Sequence, residues 1–516
     1  MKKALLVLLA AACLLLNGCQ ASVPVIAGDG EPVATLQPAQ MLYDAPIGDA
    51  ELTYDALVTL YLPRKDGVRL VATQETVQLS AGRHGAESVI RALFGHPGNE
   101  TVAPLSAQVK LQLAGENPVE VSRDVATVNL AASALQLDYK DYYTVCQAIT
   151  NTLTEFTDIR YVNVLVSGAQ VGLDVSASLP MGTLQRRTGE DLNTLWEQAQ
   201  AQRVQLSQDA SLRRLSIAAT LYFPAKMSTG ILPEVRNLAF EGQTPAQLVS
   251  GLLQELSQGA EYLGDVPSLP DLSELLSQPP QVSELVGVAG RKVVLHFSSE
   301  LNEALIENDV TRSACMASLT YTFTTFLPGV TGVEVYIGDE WIQSVTPSSI
   351  YTDREPIDFQ NGLQARADYR SFLLGYCRLY FATDAGRLRA VNRPVPYYQA
   401  KSPRFLLLQL MQGPKGYDDI PGLKGVLPDG LGDADLLGIS LKGNTLLVHF
   451  SQALSAKSQG LSGNQERLLI YAMVNTLCEN PILSRIRFYV AGAQPETLAG
   501  EIYLPGEFLS NPGFVE

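Results

Sequence analysis

Apolar residues along this chain change their spacing in a fixed order, and the order runs through three times. The core Leu60-Tyr61-Leu62 recurs as Leu221-Tyr222-Phe223 and as Leu379-Tyr380-Phe381. The spacing of roughly 160 residues is far beyond solenoid periods, so each copy is a domain. A second extended segment follows (69–79, 230–240, 386–396), then a helix with apolar residues at helical spacing: Val89 and Leu93, Leu248 and Leu252, Phe405 and Leu408. Thr244-Pro245 and Ser402-Pro403 are expected to cap two of these helices, the hydroxyl accepting a backbone N–H and the proline fitting the first turn; His84-Gly85 holds this place in copy one. Gly95-His96-Pro97 and Gly413-Pro414 are expected to stop the helix, and copy two carries no such stop.

A loop containing proline comes next (Pro104-Leu105, Val266-Pro267, Leu427-Pro428), then a pair of strands ending in Val128-Asn129-Leu130, Leu295-His296-Phe297 and Val448-His449-Phe450. Alternation puts the outer residues on one face and Asn or His on the other, as outward polar strand residues. A second amphipathic helix carries Tyr142, Val145, Ile149, Leu153 and Phe156 in copy one; Cys315, Leu319, Phe323 and Phe326 in copy two; Ile470, Met473 and Leu477 in copy three. Each copy closes on a β-rich strand running to glycine (161–168, 333–338, 487–492). Apolar stripes one face wide predict an α+β class: three tandem small domains, each a mixed β-sheet with two helices packed on one face and the other face partly open. The boundaries read as 53–182, 211–345 and 372–509, with a connector at 183–210, a linker at 346–371 and a tail at 510–516. Leu192, Leu195, Trp196 and Ala199 have helical spacing, so the connector is expected to be partly helical.

The N-terminus changes the picture. Lys2-Lys3, an uncharged apolar run over positions 4–16 and Leu16-Asn17-Gly18-Cys19 follow the order of an export signal, and the run is too short for a spanning helix of about 20 residues. The final tetrapeptide resembles a bacterial lipobox, which makes Cys19 the expected lipid attachment and residues 1–19 a lipoprotein signal peptide. Two acyl chains hold firmly where one holds marginally, so the expected partner is the membrane through this anchor, on the extracytoplasmic face. Residues 20–52, rich in Ala, Pro, Gly and acidic residues, read as a flexible tether. The net charge is −16, and −18 once Lys2 and Lys3 leave with the signal, which disfavours nucleic acid. Six cysteines less Cys13 and Cys19 leave Cys146, Cys315, Cys377 and Cys478, without C-x-x-C spacing. They read as small buried apolar residues, with a Cys377–Cys478 bridge the open alternative.

Candidate chemistry is sparse. The common hydrolase, zincin and P-loop motifs are absent. His296 and His449 occupy equivalent positions beside Ser298 and Ser451, but copy one has Asn129 and Ala131 there and no acid stands at consistent spacing. Asp418-Asp419 and the stretch 433–435 lack the calcium-loop pattern and read as solvated loops. Tyr142-Tyr143 and Tyr397-Tyr398 are candidates for a sugar or peptide site, against the plainer expectation that one of each pair faces the core. No catalytic residue, metal ligand or cofactor is expected.

The strand-helix-loop-strand-helix-strand order, with Leu-Tyr-Phe-Pro in the first strand and Asn-Thr-Leu at 151–153 and 475–477, resembles the GerMN domain. That family is named for a sporulation and germination lipoprotein of endospore-forming bacteria. The resemblance implies an envelope scaffold similar to ring-building modules, with envelope protein partners or self-association and no catalytic residues. The sequence departs from the family pattern at His96 and at the missing stop of copy two. A ligand-binding lipoprotein serving a transporter or sensing cell-wall fragments is the alternative.

Overall fold

The computed structural model describes residues 45–173, 179–207, 215–228, 230–240, 244–264, 266–347, 355–418 and 420–516. Each copy begins with an antiparallel hairpin: Thr53–Pro63 with Leu70–Ser80, Leu215–Pro224 with Ile231–Phe240, and Leu374–Ala382 with Leu388–Pro396. These hairpins are two-stranded sheets of their own. The second sheet of each copy pairs an edge strand with a core strand, antiparallel, and the core strand with the closing strand, parallel. The core strands Val125–Leu130, Arg291–Phe297 and Thr445–Phe450 are in one register with the closing strands Tyr161–Val166, Val330–Ile337 and Arg485–Val490. Leu130 opposes Val166, Phe297 opposes Ile337 and Phe450 opposes Val490, so Asn129, His296 and His449 are equivalent.

The first helices are Ala86–Gly95, Pro245–Ser257 and Pro403–Met411. Thr244 and Gln247 form a capping box and the Ser402 hydroxyl accepts from Phe405 N–H. In copy one the imidazole of His84 takes over, its Nδ1 accepting from Ala86 N–H at 3.1 Å. Copy two has no glycine-proline pair here, and Gly259, at φ +78°, ends the helix past Gln258 in its place.

The second helices, Tyr139–Leu153, Arg312–Phe326 and Gly463–Leu477, pack between hairpin and sheet. In copy two every residue from Ser313 to Phe326 is buried, where the sequence predicts one apolar stripe. The other side of that helix is covered by the stretch before copy three, in which Tyr369 and Phe372 are buried. The described end of the linker, 355–371, is thus built into copy two: Gln364–Ala365 pair with the closing strand at Gly332–Val333, as Leu184–Gln185 of the connector pair with Tyr161–Val162 in copy one. Copy three closes the same position with a bridge from Ile486 to Phe508. A helix at Leu192–Ser207 fills most of the rest of the connector.

The three copies are parts of one compact unit. Copies one and two share a continuous apolar core, while copy three has its own, which Leu52 and Ala81 from the start of the chain enter. Residues 45–52, assigned by composition to the tether, are therefore structural. Gly48–Asp49 add in parallel to the edge strand Leu436–Lys442 of copy three, and Ala50 N–H donates to Ile439 O at 2.9 Å. Composition misses this because the strand is only two exposed residues long and its partner lies nearly 400 residues away. Residues 20–44, and with them Cys19, lie outside the described residues.

Candidate functional site

The polar residue in each core strand is a latch rather than an outward side chain where its face is covered. His449 is 4% exposed; its Nδ1 donates to Pro46 O at 2.8 Å and its Nε2 accepts from Gly492 N–H at 2.8 Å. Asn129 repeats both bonds in copy one, Nδ2 donating to Ala114 O at 3.0 Å and Oδ1 accepting from Gly168 N–H at 2.8 Å. The expectation of an outward His449 fails because the segment before Gly48 lies over it. His296 stacks at 4.4 Å on Tyr336, which stacks on Trp341 at 6.3 Å. The neighbouring serines do not join the histidines: the Ser451 hydroxyl donates to Asp435 at 2.7 Å, and that of Ser298 is buried without a partner. The latch role predicts that His449→Asn keeps stability while His449→Leu loses about 1–3 kcal/mol, since two partly buried backbone groups lose their partner. Urea denaturation and hydrogen exchange at residues 46–50 check this.

A second device ties each hairpin to the end of the first helix. Arg236 and Arg393 are equivalent, opposing Ala219 and Cys377 in the hairpin register. Arg236 donates to Gly259 O at 2.5 Å and pairs with Glu234. Arg393, at 0% exposure, donates to Gly413 O at 2.9 Å and pairs with Asp418 through two bonds, at 2.6 and 3.0 Å. A cation here meets the negative end of the helix and its unpaired carbonyls. Copy one has Glu75 at this position, with His96 Nε2 at 3.8 Å, which gives His96 a role beside the departure from the family pattern. Asp418 is thus not a solvated loop carboxylate: its side chain is 1% exposed. Asp419 lies outside the described residues. Asp433 pairs with Arg404, and the Ser451 hydroxyl holds the Asp435 carboxyl below its ordinary range.

Arg366, in the segment leading into copy three, joins copies one and two. Its guanidinium donates to Glu120 of copy one at 2.5 and 3.0 Å, and to Thr325 at 2.7 Å and the Tyr222 hydroxyl at 3.2 Å in copy two, and lies 3.9 Å from the centre of the Tyr321 ring. Burial opposes its charge, but Glu120 and the two tyrosines outweigh this and keep it ionised. Nearby, Ser122 Oγ donates to Leu374 O of copy three, and Arg370 pairs with Glu116 and covers the Tyr398 ring. The Tyr397 hydroxyl is buried without a partner. Tyr142 is buried and Tyr143 packs on Trp196 at 5.8 Å. A cleft of about 580 Å³ opens beside the junction, floored by Thr127, Asn129 and Leu165 and walled by Glu116, Leu363 and Arg370.

Burial pushes the thiols of Cys146, Cys315 and Cys377 up to about 12 and that of Cys478 to about 11, so all four are protonated at neutral pH; none is bridged. Among the described residues no group of three or more His, Cys, Asp or Glu is placed to hold a metal, and no helix is long and apolar enough to cross a membrane.

Glu466 is a further group with no sequence signal. Its carboxylate, fully buried, accepts from the N–H groups of Leu498, Ala499, Glu501 and Ile502 at 2.8 to 3.2 Å. Burial pushes its pKa up, and the four backbone donors together bring it below the ordinary 4.5. A depressed carboxyl stabilises the fold above its unfolded pKa and loses that contribution as pH falls through the folded one. Stability should therefore fall below about pH 4.5 in the wild type and fall less steeply in Glu466→Gln, as acid titrations of the urea midpoint would measure.

A family model described as Germane: Sporulation and spore germination matches residues 59–172, 220–343 and 378–496. The chain belongs to this family. Its three matched segments are the three copies, and they are GerMN-like. Among solved structures, the tandem GerMN domains of the sporulation protein GerM from Bacillus subtilis are 16% identical over 57% of this chain and 98% of that one, with a TM-score of 0.21. A lipoprotein from Clostridium perfringens is 18% identical over 27% of this chain and 91% of its own, with a TM-score of 0.18. The first GerMN domain of GerM is 19% identical over 26% and 96%, also with a TM-score of 0.18. No curated protein matches the chain.

Proposed function

We propose that this Germane-family chain is a non-catalytic lipoprotein, anchored through Cys19 at the extracytoplasmic face of the membrane, that acts as an envelope scaffold in sporulation or spore germination. The observation that carries the reading is the contrast between copies. The edge strand of copy one lies against the hairpin of copy three, and that of copy three is paired by Gly48–Asp49. Among the described residues the edge Gln281–Glu284 of copy two pairs only inward, and the turn beyond it holds Val286 at 100% and Val288 at 66% exposure. An open edge beside exposed valines is a surface for protein partners. The charged and imidazole groups that would otherwise suggest chemistry are engaged in structural contacts within and between the copies, and the family tie supports sporulation or germination.

Residues 20–516, which leave out Cys19 and so carry no lipid, used as bait in an envelope extract and measured by light scattering, test the scaffold. A co-purifying envelope protein, or concentration-dependent oligomers, lost in Val286→Asp/Val288→Asp, is the expected result. A strict monomer with no partner would sink the reading. Metabolic palmitate labelling tests the anchor separately, and Cys19→Ala should abolish it.

A ligand-binding lipoprotein remains a second reading because of the cleft beside Arg370, whose mostly apolar lining and accessible guanidinium suit a small carboxylate. Thermal shift with cell-wall peptides would favour it if Arg370→Ala removed the response.

A further inference from the structure

The edge of copy three is shaped for one short strand. Gly438 opposes Gly48, and a Cβ at Gly438 would stand 2.5 Å from Pro46 O and 2.6 Å from Gly48 O, so only glycine admits the strand. Arg404 grips the Asp49 carboxylate with two bonds, at 2.6 and 3.0 Å, Ile439 N–H donates to the same carboxylate at 3.1 Å, and His449 holds Pro46 O. The other two copies have closed this position. Copy one inserts 115–118 between Ala114, which donates to Asn129 O, and Val119. Copy two inserts 278–279 after Ser277, and Pro280, with no N–H to offer, stands at the equivalent of Ile439.

The strand seated on this edge is nonetheless superficial. Gly48 and Asp49 are both exposed, Ile47 is 91% exposed, and the side chain of Asp49 is 40% exposed. None of residues 46–50 is buried, so the strand takes no core side chain with it, and a second molecule offers identical contacts. Exchange between molecules therefore costs little beyond association, and association costs less when chains share one surface.

We propose that Pro46–Ala50 and the copy-three edge are the two halves of an intermolecular joint: the strand of one chain adds to Gly438–Ile439 of a second copy. The inference rests on the anchored-scaffold reading and names its partner as this chain itself. The joint is heterologous, each molecule giving a strand and receiving one, so it closes in a reciprocal pair or extends into a row.

Charge exchange separates the two arrangements. The full chain carrying Asp49→Arg cannot seat its strand on its own Arg404, and the chain carrying Arg404→Glu cannot seat its own Asp49, but the first strand fits the second edge. Each variant alone should remain monomeric by native mass spectrometry, their equimolar mixture should give a heterodimer, and Asp49→Arg/Arg404→Glu in one chain should return to monomer with residues 46–50 again protected from hydrogen exchange. A mixture that stays monomeric while the double variant regains protection overturns the joint. A second measurement does not depend on the charges: light and isotopically heavy chains with Asp49 and Arg404 unchanged, each carrying Ile47→Cys with a photo-reactive group, are mixed on one vesicle. Cross-links from residue 47 to 436–442 of mixed mass support exchange; same-mass links alone overturn it. If both measurements go against exchange while the wild-type chain still captures envelope partners, the scaffold stands and only this joint is removed.

Discussion

Replacing Arg393 with leucine should cost about 3–5 kcal/mol, the range for removing one member of a buried, hydrogen-bonded ion pair. The loss comes less from the missing attraction than from what stays behind. Asp418 keeps a carboxylate at 1% exposure with no cation, and Gly413 O loses its donor. Arg404→Ala, at a pair with Asp49 and Asp433 that is partly solvated, should cost no more than about 1 kcal/mol. Urea denaturation gives the difference, and hydrogen exchange locates it: Arg393→Leu should lose protection across copy three and leave copies one and two intact, because copy three has its own core. Equal loss in all copies would contradict this division.

Arg366→Met should have a similar cost and a different distribution. It leaves Glu120 at 12% side-chain exposure without its partner and takes the cation away from the Tyr321 ring. The expected loss is again about 3–5 kcal/mol. Because Arg366 touches copy one and copy two from the segment leading into copy three, peptides around Glu120, Thr325 and Phe372 should exchange faster together, and limited proteolysis should cut near 366 first. Arg370→Ala removes a pair whose Glu116 is 80% exposed, and should change stability by less than about 1 kcal/mol. An Arg366→Met protein as resistant to protease as wild type would mean that the copies are held chiefly by the apolar core common to copies one and two.

The arginine ties were half legible. Arg236 and Arg393 stand at the same place in aligned repeats, so a charged residue recurring on an inward strand face was a usable signal, and Glu75 with His96 obscured it in copy one. Arg366 and Glu120 carried none, since they are 246 residues apart and the linker has no repeat to compare with. His449 was legible as special but not in its role: alternation assigns a side chain to a face, and whether that face is covered depends on what the distant chain does. Glu466 sits on a helix whose period gives no hint that a loop more than 30 residues later folds its N–H groups around it.

By itself the sequence determined the copy number, the order of strands and helices, the caps at Thr244 and Ser402 and the family, because these depend on local spacing and turn chemistry repeated three times over. Tertiary structure alone decided that copies one and two share a core, that the linker before copy three seals the second helix of copy two, and that Gly48–Asp49 reach the far end of the chain. Each of these is a contact between segments whose local patterns are satisfied in several arrangements. The choice among them falls to burial and to ion pairs such as Arg366–Glu120, which exist only once the copies have met.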